Sequence, residues 1–174
     1  GDGSLEMLSP QYPSVHFIGN SENVGFARAN NQALRQVDAE YSLLLNPDTL
    51  IGESTLEACL RFMQQHPEAG ALGVRMMNAQ GEFLAESKRG LVTPFVAFCK
   101  IAQLGRLFPK SAVFNRYYLG HLSKVEVQEA PILSGAFFFA RSEALRKVGY
   151  LDERYFMYGE DIDLSYSILQ AGYR

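Results

Sequence analysis

Tyr41-Ser42-Leu43-Leu44-Leu45 is an apolar run with little alternation of polar and apolar side chains, and it stops abruptly at Asn46-Pro47-Asp48-Thr49. A strand of that kind has both faces covered, as in a sheet packed between helices. Proline pushes the residue before it out of helix geometry, so the strand ends there and leaves Asp48 at its carboxyl end. Open α/β sheets bind ligands at that end. A carboxylate placed there suits a divalent cation that bridges phosphates. Taken alone, an ordinary Asx turn explains the same residues.

The rest of the chain alternates in the same sense. Residues 15–18 read as a compact strand, and residues 19–23 as a turn. A helix follows, with Phe26, Asn30, Ala33, Leu34 and Val37 at helical spacing. Ser54 and Glu57 have capping-box spacing, with Leu56, Cys59, Leu60 and Met63 as the buried face of the helix they open. Residues 71–74 form another strand, and residues 78–82 a hairpin-like turn. Residues 130–140 read as one buried strand carrying a Ser134-Gly135-Ala136 step, and a glycine inside a strand often marks close approach of a ligand or another backbone. A short helix then starts near Arg141 and stops at Gly149. This alternation predicts an α/β fold, a mixed but mostly parallel sheet flanked by helices. The 174 residues suit a single domain.

Composition narrows the function. A net charge of −3 gives no basic footprint for nucleic acid. Cys59 and Cys99 lack metal-site spacing and fit reduced, buried thiols, so a cytoplasmic setting is expected. His16, His66 and His121 are unpaired by spacing and read as core or surface residues. No signal peptide is visible. Residues 91–108, the most apolar region, are interrupted by Pro94, Lys100, Gln103 and Arg106, too often for a spanning helix. Residues 88–128 have poor periodicity and many aromatics and bases. They read either as an irregular insertion covering the core or as an acceptor-binding or membrane-proximal flap whose bases meet anionic phosphates.

The second concentration of acids comes late. Glu160, Asp161 and Asp163 follow Gly159, and Leu164, Ile168 and Leu169 then fall on one helical face. Gly159 therefore reads as a helix start, with Glu160 and Asp161 in its first turn, where free N–H groups and the helix dipole stabilise carboxylates. Either these are ordinary first-turn acids or one is a positioned base. Near the other end of the chain, Asn23-Val24-Gly25-Phe26-Ala27-Arg28-Ala29-Asn30-Asn31 opens a helix with glycine and asparagines. Such a start either packs tightly or lets a ligand approach backbone N–H groups.

Together these segments carry a resemblance. In order along the chain they are the Asn23-to-Asn31 segment, Leu43-Leu44-Leu45-Asn46-Pro47-Asp48-Thr49, Leu133-Ser134-Gly135-Ala136, and Gly149-Tyr150-Leu151-Asp152-Glu153 with Phe156-Met157-Tyr158-Gly159-Glu160-Asp161-Ile162-Asp163-Leu164. The set resembles glycosyltransferase family 2, in particular its bacterial rhamnosyltransferase-like members. The resemblance implies a GT-A-type fold and an inverting transfer of a sugar from a nucleotide-sugar donor to a polysaccharide or lipid-linked acceptor, in cell wall polysaccharide biosynthesis. Rhamnose and thymidine diphosphate are the donor parts it suggests.

Residue by residue, Asp48 takes the last position of the family's DxD-type metal and diphosphate motif, with magnesium or manganese as the implied cation and Asn46 in place of the first acid. Asp161 takes the place of the general base, with Glu160 beside it. Asn23, Gly25 and Asn30 match the segment near the nucleotide, and Ser134, Gly135 and Ala136 the strand bordering donor sugar and acceptor. Family members begin with two strands that hold nucleobase and ribose, and Gly1-Asp2-Gly3-Ser4 looks like the residues just after them. The chain is therefore expected to be a fragment that binds donor weakly and turns over little, at the cytoplasmic face of the inner membrane in its full-length form. The competing expectations are a non-catalytic saccharide- or nucleotide-binding module of the same fold and an α/β phosphotransferase or nucleotidyltransferase. The absence of a P-loop Gly-Lys-Ser/Thr counts against the phosphotransferase.

Overall fold

The computed structural model describes residues 3–174; Gly1 and Asp2, part of the stretch compared with the end of a second strand, lie outside it. The centre of the fold is β5 (Phe137–Arg141), which runs between β1 (Tyr41–Leu45) and β2 (Ala71–Leu72). Its alternation decides the layers. Phe138 and Ala140 pack on one face with Ala27 and Leu34 of α2 (Phe26–Leu34), Leu145 of α6 (Ser142–Val148), and Leu164 and Ile168 of α7 (Glu160–Gln170). Phe137 and Phe139 pack on the other face with Cys59 and Met63 of α3 (Thr55–Gln65). A strand with period-two side chains, apolar on both sides, calls for helices on both sides. The result is the expected GT-A-like mixed α/β fold.

Strand direction differs from the mostly parallel expectation. β5 is antiparallel to β1, with Leu45 opposite Phe137, and antiparallel to β2, with Leu72 opposite Phe139. β1 and β2 thus point the same way but are separated by a reversed strand. The segment before β5 also differs from expectation. Residues 130–140 do not form one strand but β4 (Ile132–Leu133), a turn at residues 134–136, and β5. In the turn the Ser134 hydroxyl accepts from the Ala136 N–H at 3.3 Å. β4 pairs instead with β3 (Lys88–Arg89) in a second antiparallel ladder, which places Arg89 opposite Ile132.

Other expectations shift in detail. Residues 15–18 form no strand and pair with none among the described residues. The Ser54 side chain makes no cap hydrogen bond, and Glu57 bonds Arg61 at 2.6 Å rather than reaching back. Leu56 and Leu60 are exposed while Cys59 and Met63 are buried. The buried face of α2 is Ala27, Asn31 and Leu34. Residues 88–128 are less irregular than their periodicity implies. They hold α4 (Pro94–Ile101), capped by the Thr93 hydroxyl, which accepts from the Val96 N–H at 3.3 Å, and the short α5 (Leu104–Leu107). The remaining helix is α1 (Ser4–Leu8). Both cysteines are free and buried, and burial raises the Cys59 thiol above its ordinary value. No helix among the described residues is long and apolar enough to cross a membrane.

Candidate functional site

Three elements meet at one end of the sheet. β1 ends at Leu45, and Asn46 donates its N–H to the Ala136 carbonyl at 3.0 Å. The preceding residue of that turn, Gly135, donates its N–H to Asp161 Oδ2 at 3.1 Å. The start of α7 and the exit of β1 are therefore tied to consecutive residues of one turn, and Asp48 and Asp161 lie at the same end of the sheet. Asp48, two residues beyond Asn46, is exposed and forms no ion pair among the described residues. Gly159 adopts φ 97°, a left-handed conformation that suits glycine and turns the chain into α7.

Asp161 is held on several sides. Its Oδ2 accepts from Gly135 and pairs with the Arg89 guanidinium, which also donates to the Leu133 carbonyl at 3.0 Å. Among the described residues its Oδ1 accepts only the neighbouring Ile162 N–H, at 2.8 Å. Both side chains of the ion pair are 16% exposed. Oδ1 is thus the oxygen with spare accepting capacity, and Oδ2 anchors the carboxylate. Arg89 is the residue that sequence reasoning missed at this site. Lys88-Arg89 was legible as the start of a basic segment, but nothing in it indicates a partner 72 positions away.

Glu160 differs sharply from its neighbour. It is buried, and its Oε2 has no hydrogen-bond partner among the described residues. Burial raises its carboxyl above the ordinary value, the nearby Asp161 charge adds to the rise, and Arg89 works against it. The sign for stability follows. A raised folded value means that the favourable contribution is fully present below the unfolded carboxylate range and is lost as pH rises through the folded value. Glu160→Gln, neutral throughout, should therefore gain thermal stability relative to the parent as pH rises across that window. Paired melting curves from acid to neutral pH check it, and a Tm difference that stays constant with pH would refute the assignment.

The remaining site residues make contacts within the protein. The Asn23 side chain accepts the Gly25 N–H at 3.0 Å. Gly25 has φ 81°, and a Cβ there would lie 2.5 Å from the Phe156 carbonyl oxygen, which accepts the Phe26 N–H at 2.9 Å. The close approach that this glycine permits is thus to the loop before α7. Asn30 bonds back to the Phe26 carbonyl at 2.9 Å. It also lines a cleft of about 250 Å³ between α2 and β1, which includes neither Asp48 nor Asp161. Among the described residues no three His, Cys, Asp or Glu side chains gather to hold a metal. One carboxylate at Asp48 fits a cation shared with a diphosphate, because magnesium sites commonly use one or two carboxylates plus substrate phosphates.

Helices on both faces of an antiparallel sheet, with two acids at one sheet end, make an α/β domain of the GT-A-like kind. The chain belongs to glycosyl transferase family 2, whose family model matches residues 2–149. That match ends before α7. Individual relatives extend further. The chain is 29% identical over 185 residues to "N-acetylglucosaminyl-diphospho-decaprenol L-rhamnosyltransferase" of Mycobacterium tuberculosis (strain CDC 1551 / Oshkosh), covering 99% of this chain and 59% of that protein. It is 25% identical over 190 residues to "Rhamnosyltransferase WbbL" of Escherichia coli (strain K12), covering 98% of this chain and 63% of the relative. A more distant similarity, 25% over 159 residues, covering 89% of this chain and 46% of the relative, is to the "Low-salt glycan biosynthesis hexosyltransferase Agl10" of Haloferax volcanii.

Proposed function

We propose that the full-length protein transfers a sugar, with inversion, from a nucleotide diphosphate donor to a lipid-linked or polysaccharide acceptor. The observation that supports this is that Asn46, two residues before Asp48, and Asp161 are bound by adjacent residues of the turn at 134–136, at one end of the sheet. Rhamnose is the sugar named in two relatives, and a diphospho-polyprenol-linked saccharide is the acceptor named in one. Asp161 Oδ1 takes the proton of the acceptor hydroxyl. The acceptor oxygen bonds to the anomeric carbon while the bond from that carbon to the diphosphate oxygen breaks, and the diphosphate leaves with the electron pair. One displacement with one base inverts the centre.

Asp48 and diphosphate oxygens would together hold magnesium or manganese, which when bound offsets charge on the leaving group. Ser134, Gly135 and Ala136 border the sugar, and Asn23, Gly25 and Asn30 shape the α2 start near the nucleotide. Burial of Glu160 favours its uncharged form and so lessens like charge beside Asp161. In the full-length protein, Asp48→Asn should raise the magnesium concentration for half-maximal transfer by at least about tenfold, the scale on which metal sites respond to lost supporting groups. An unchanged metal response would remove Asp48 from the cation site.

One observation favours a second reading, a non-catalytic binding module: Asp161 is closed on Arg89. A donor-and-acceptor assay separates the two, since the module binds sugar nucleotide or saccharide without forming product.

A further inference from the structure

Charge in this chain is segregated. Residues 88–124 contain seven of its 16 lysines and arginines and none of its 19 aspartates and glutamates. The stretch therefore carries +7 and the remainder −10, within a net charge of −3. Lys100, Arg106, Lys110, Arg116 and Lys124 form no ion pair among the described residues. The same stretch exposes apolar side chains that folding ordinarily covers. Phe95, Phe98 and Ile101 succeed one another at i, i+3 spacing and so form one ridge of α4. Phe98 is 61% and Ile101 82% exposed, while Val96 and Cys99 are buried beneath them. Leu107 and Phe108 continue the exposed apolar surface at α5.

The stretch is nonetheless well ordered. Asn115 donates its amide to the Pro109 carbonyl at 2.8 Å, Gly90 donates its N–H to the Tyr117 carbonyl at 2.8 Å, and Lys100 lies 3.5 Å from the Tyr117 ring centroid. This lobe continues directly from β3, whose Arg89 touches Asp161.

Exposed aromatics beside unpaired cations are what an interfacial membrane helix presents. Anionic headgroups attract such basic segments. A second copy of this chain docked through the same face is a poor occupant, because it would set one group of unpaired cations against another. The other exposed aromatic run, Tyr155 to Tyr158, sits among Asp152, Glu160, Asp161 and Asp163 and lacks this complement. We infer that the α4–α5 lobe seats the chain on an anionic bilayer surface. Phe95, Phe98 and Ile101 enter the headgroup boundary, and Arg106, Lys110 and Arg116 meet lipid phosphates. The inference rests on the lipid-linked acceptor proposed above, since docking there keeps the Asp161 end close to an acceptor held in the membrane.

Vesicle flotation tests it. The chain should float with phosphatidylcholine vesicles containing phosphatidylglycerol and not with phosphatidylcholine alone, and salt should release it. Arg106→Gln with Lys110→Gln should weaken partition about thirtyfold, the scale for removing two surface cations. Phe98→Ser with Ile101→Ser should abolish flotation while circular dichroism stays unchanged, because both side chains already face water. No flotation with anionic vesicles, equal partition of parent and both variants, or a dimer in sedimentation that Phe98→Ser with Ile101→Ser dissociates would each overturn the inference. Transfer to a short-chain, water-soluble acceptor keeps the two proposals apart. Flotation without transfer leaves the docking surface standing, and transfer without flotation leaves the enzyme standing.

Discussion

Asp161→Asn in the full-length protein should lower kcat by about a hundredfold or more while leaving the donor KM close to its parent value. The magnitude is that of removing a general base. The substitution keeps the size of the side chain and one of its two accepting positions: the single amide oxygen takes either the Gly135 or the Ile162 N–H, which Asp161 accepts on separate oxygens. What disappears is the negative charge and the affinity for a proton. A carboxylate that served only to anchor Arg89 would respond differently: Tm would fall and kcat would change modestly. Steady-state kinetics with a matched thermal melt separates the cases, and near-parental turnover by the Asn variant would exclude Asp161 as the base.

The largest stability effect is expected at Asn31→Ala. Asn31 is fully buried, and its amide group mimics a strand edge. It donates to the Leu151 carbonyl at 2.8 Å and accepts the Leu151 N–H at 3.1 Å. It also donates to Glu153 at 3.0 Å, the first cause of a Glu153 carboxyl held below its ordinary range. Through these bonds α2 fixes the segment that leads into α7 and so into Asp161. Alanine leaves both Leu151 backbone groups without partners. At about 1–3 kcal/mol for each unsatisfied buried group, the loss should be about 2–5 kcal/mol. Arg35→Ala, which removes the exposed Arg35–Glu153 pair and a cation–π contact with Tyr150 but leaves no buried group unpaired, should change stability far less. Chemical denaturation of the three proteins checks the ranking, and equal losses would refute it.

Much of this site is legible where backbone chemistry is local. Pro47 ends β1 because of its effect on the residue before it, and that puts Asp48 at a strand end. Gly149 and Gly159 mark a helix end and a helix start because both adopt positive φ, which L side chains disfavour. Pro94, an interruption on the sequence reading of residues 91–108, instead fills the first turn of α4 behind the Thr93 cap. Other features are not encoded locally. Strand direction depends on which strand lies alongside, so β5 reads the same whether its neighbours are parallel or antiparallel. The break at residues 134–136 depends on the Asp161 carboxylate taking the Gly135 N–H, and the Arg89–Asp161 pair joins segments far apart in sequence. The buried face of α2 turned one residue from expectation because Asn31, a polar side chain, is satisfied inside by Leu151.

The central claim is that Asp48 and Asp161 serve one donor sugar from one end of the sheet. A crystal structure of the full-length protein with a nucleoside diphosphate sugar and manganese tests it most directly. The diphosphate and metal should lie against Asp48, with the anomeric carbon facing Asp161 Oδ1. A complex with the diphosphate away from the carboxyl end of β1 and Asp161 still closed on Arg89 would contradict the account.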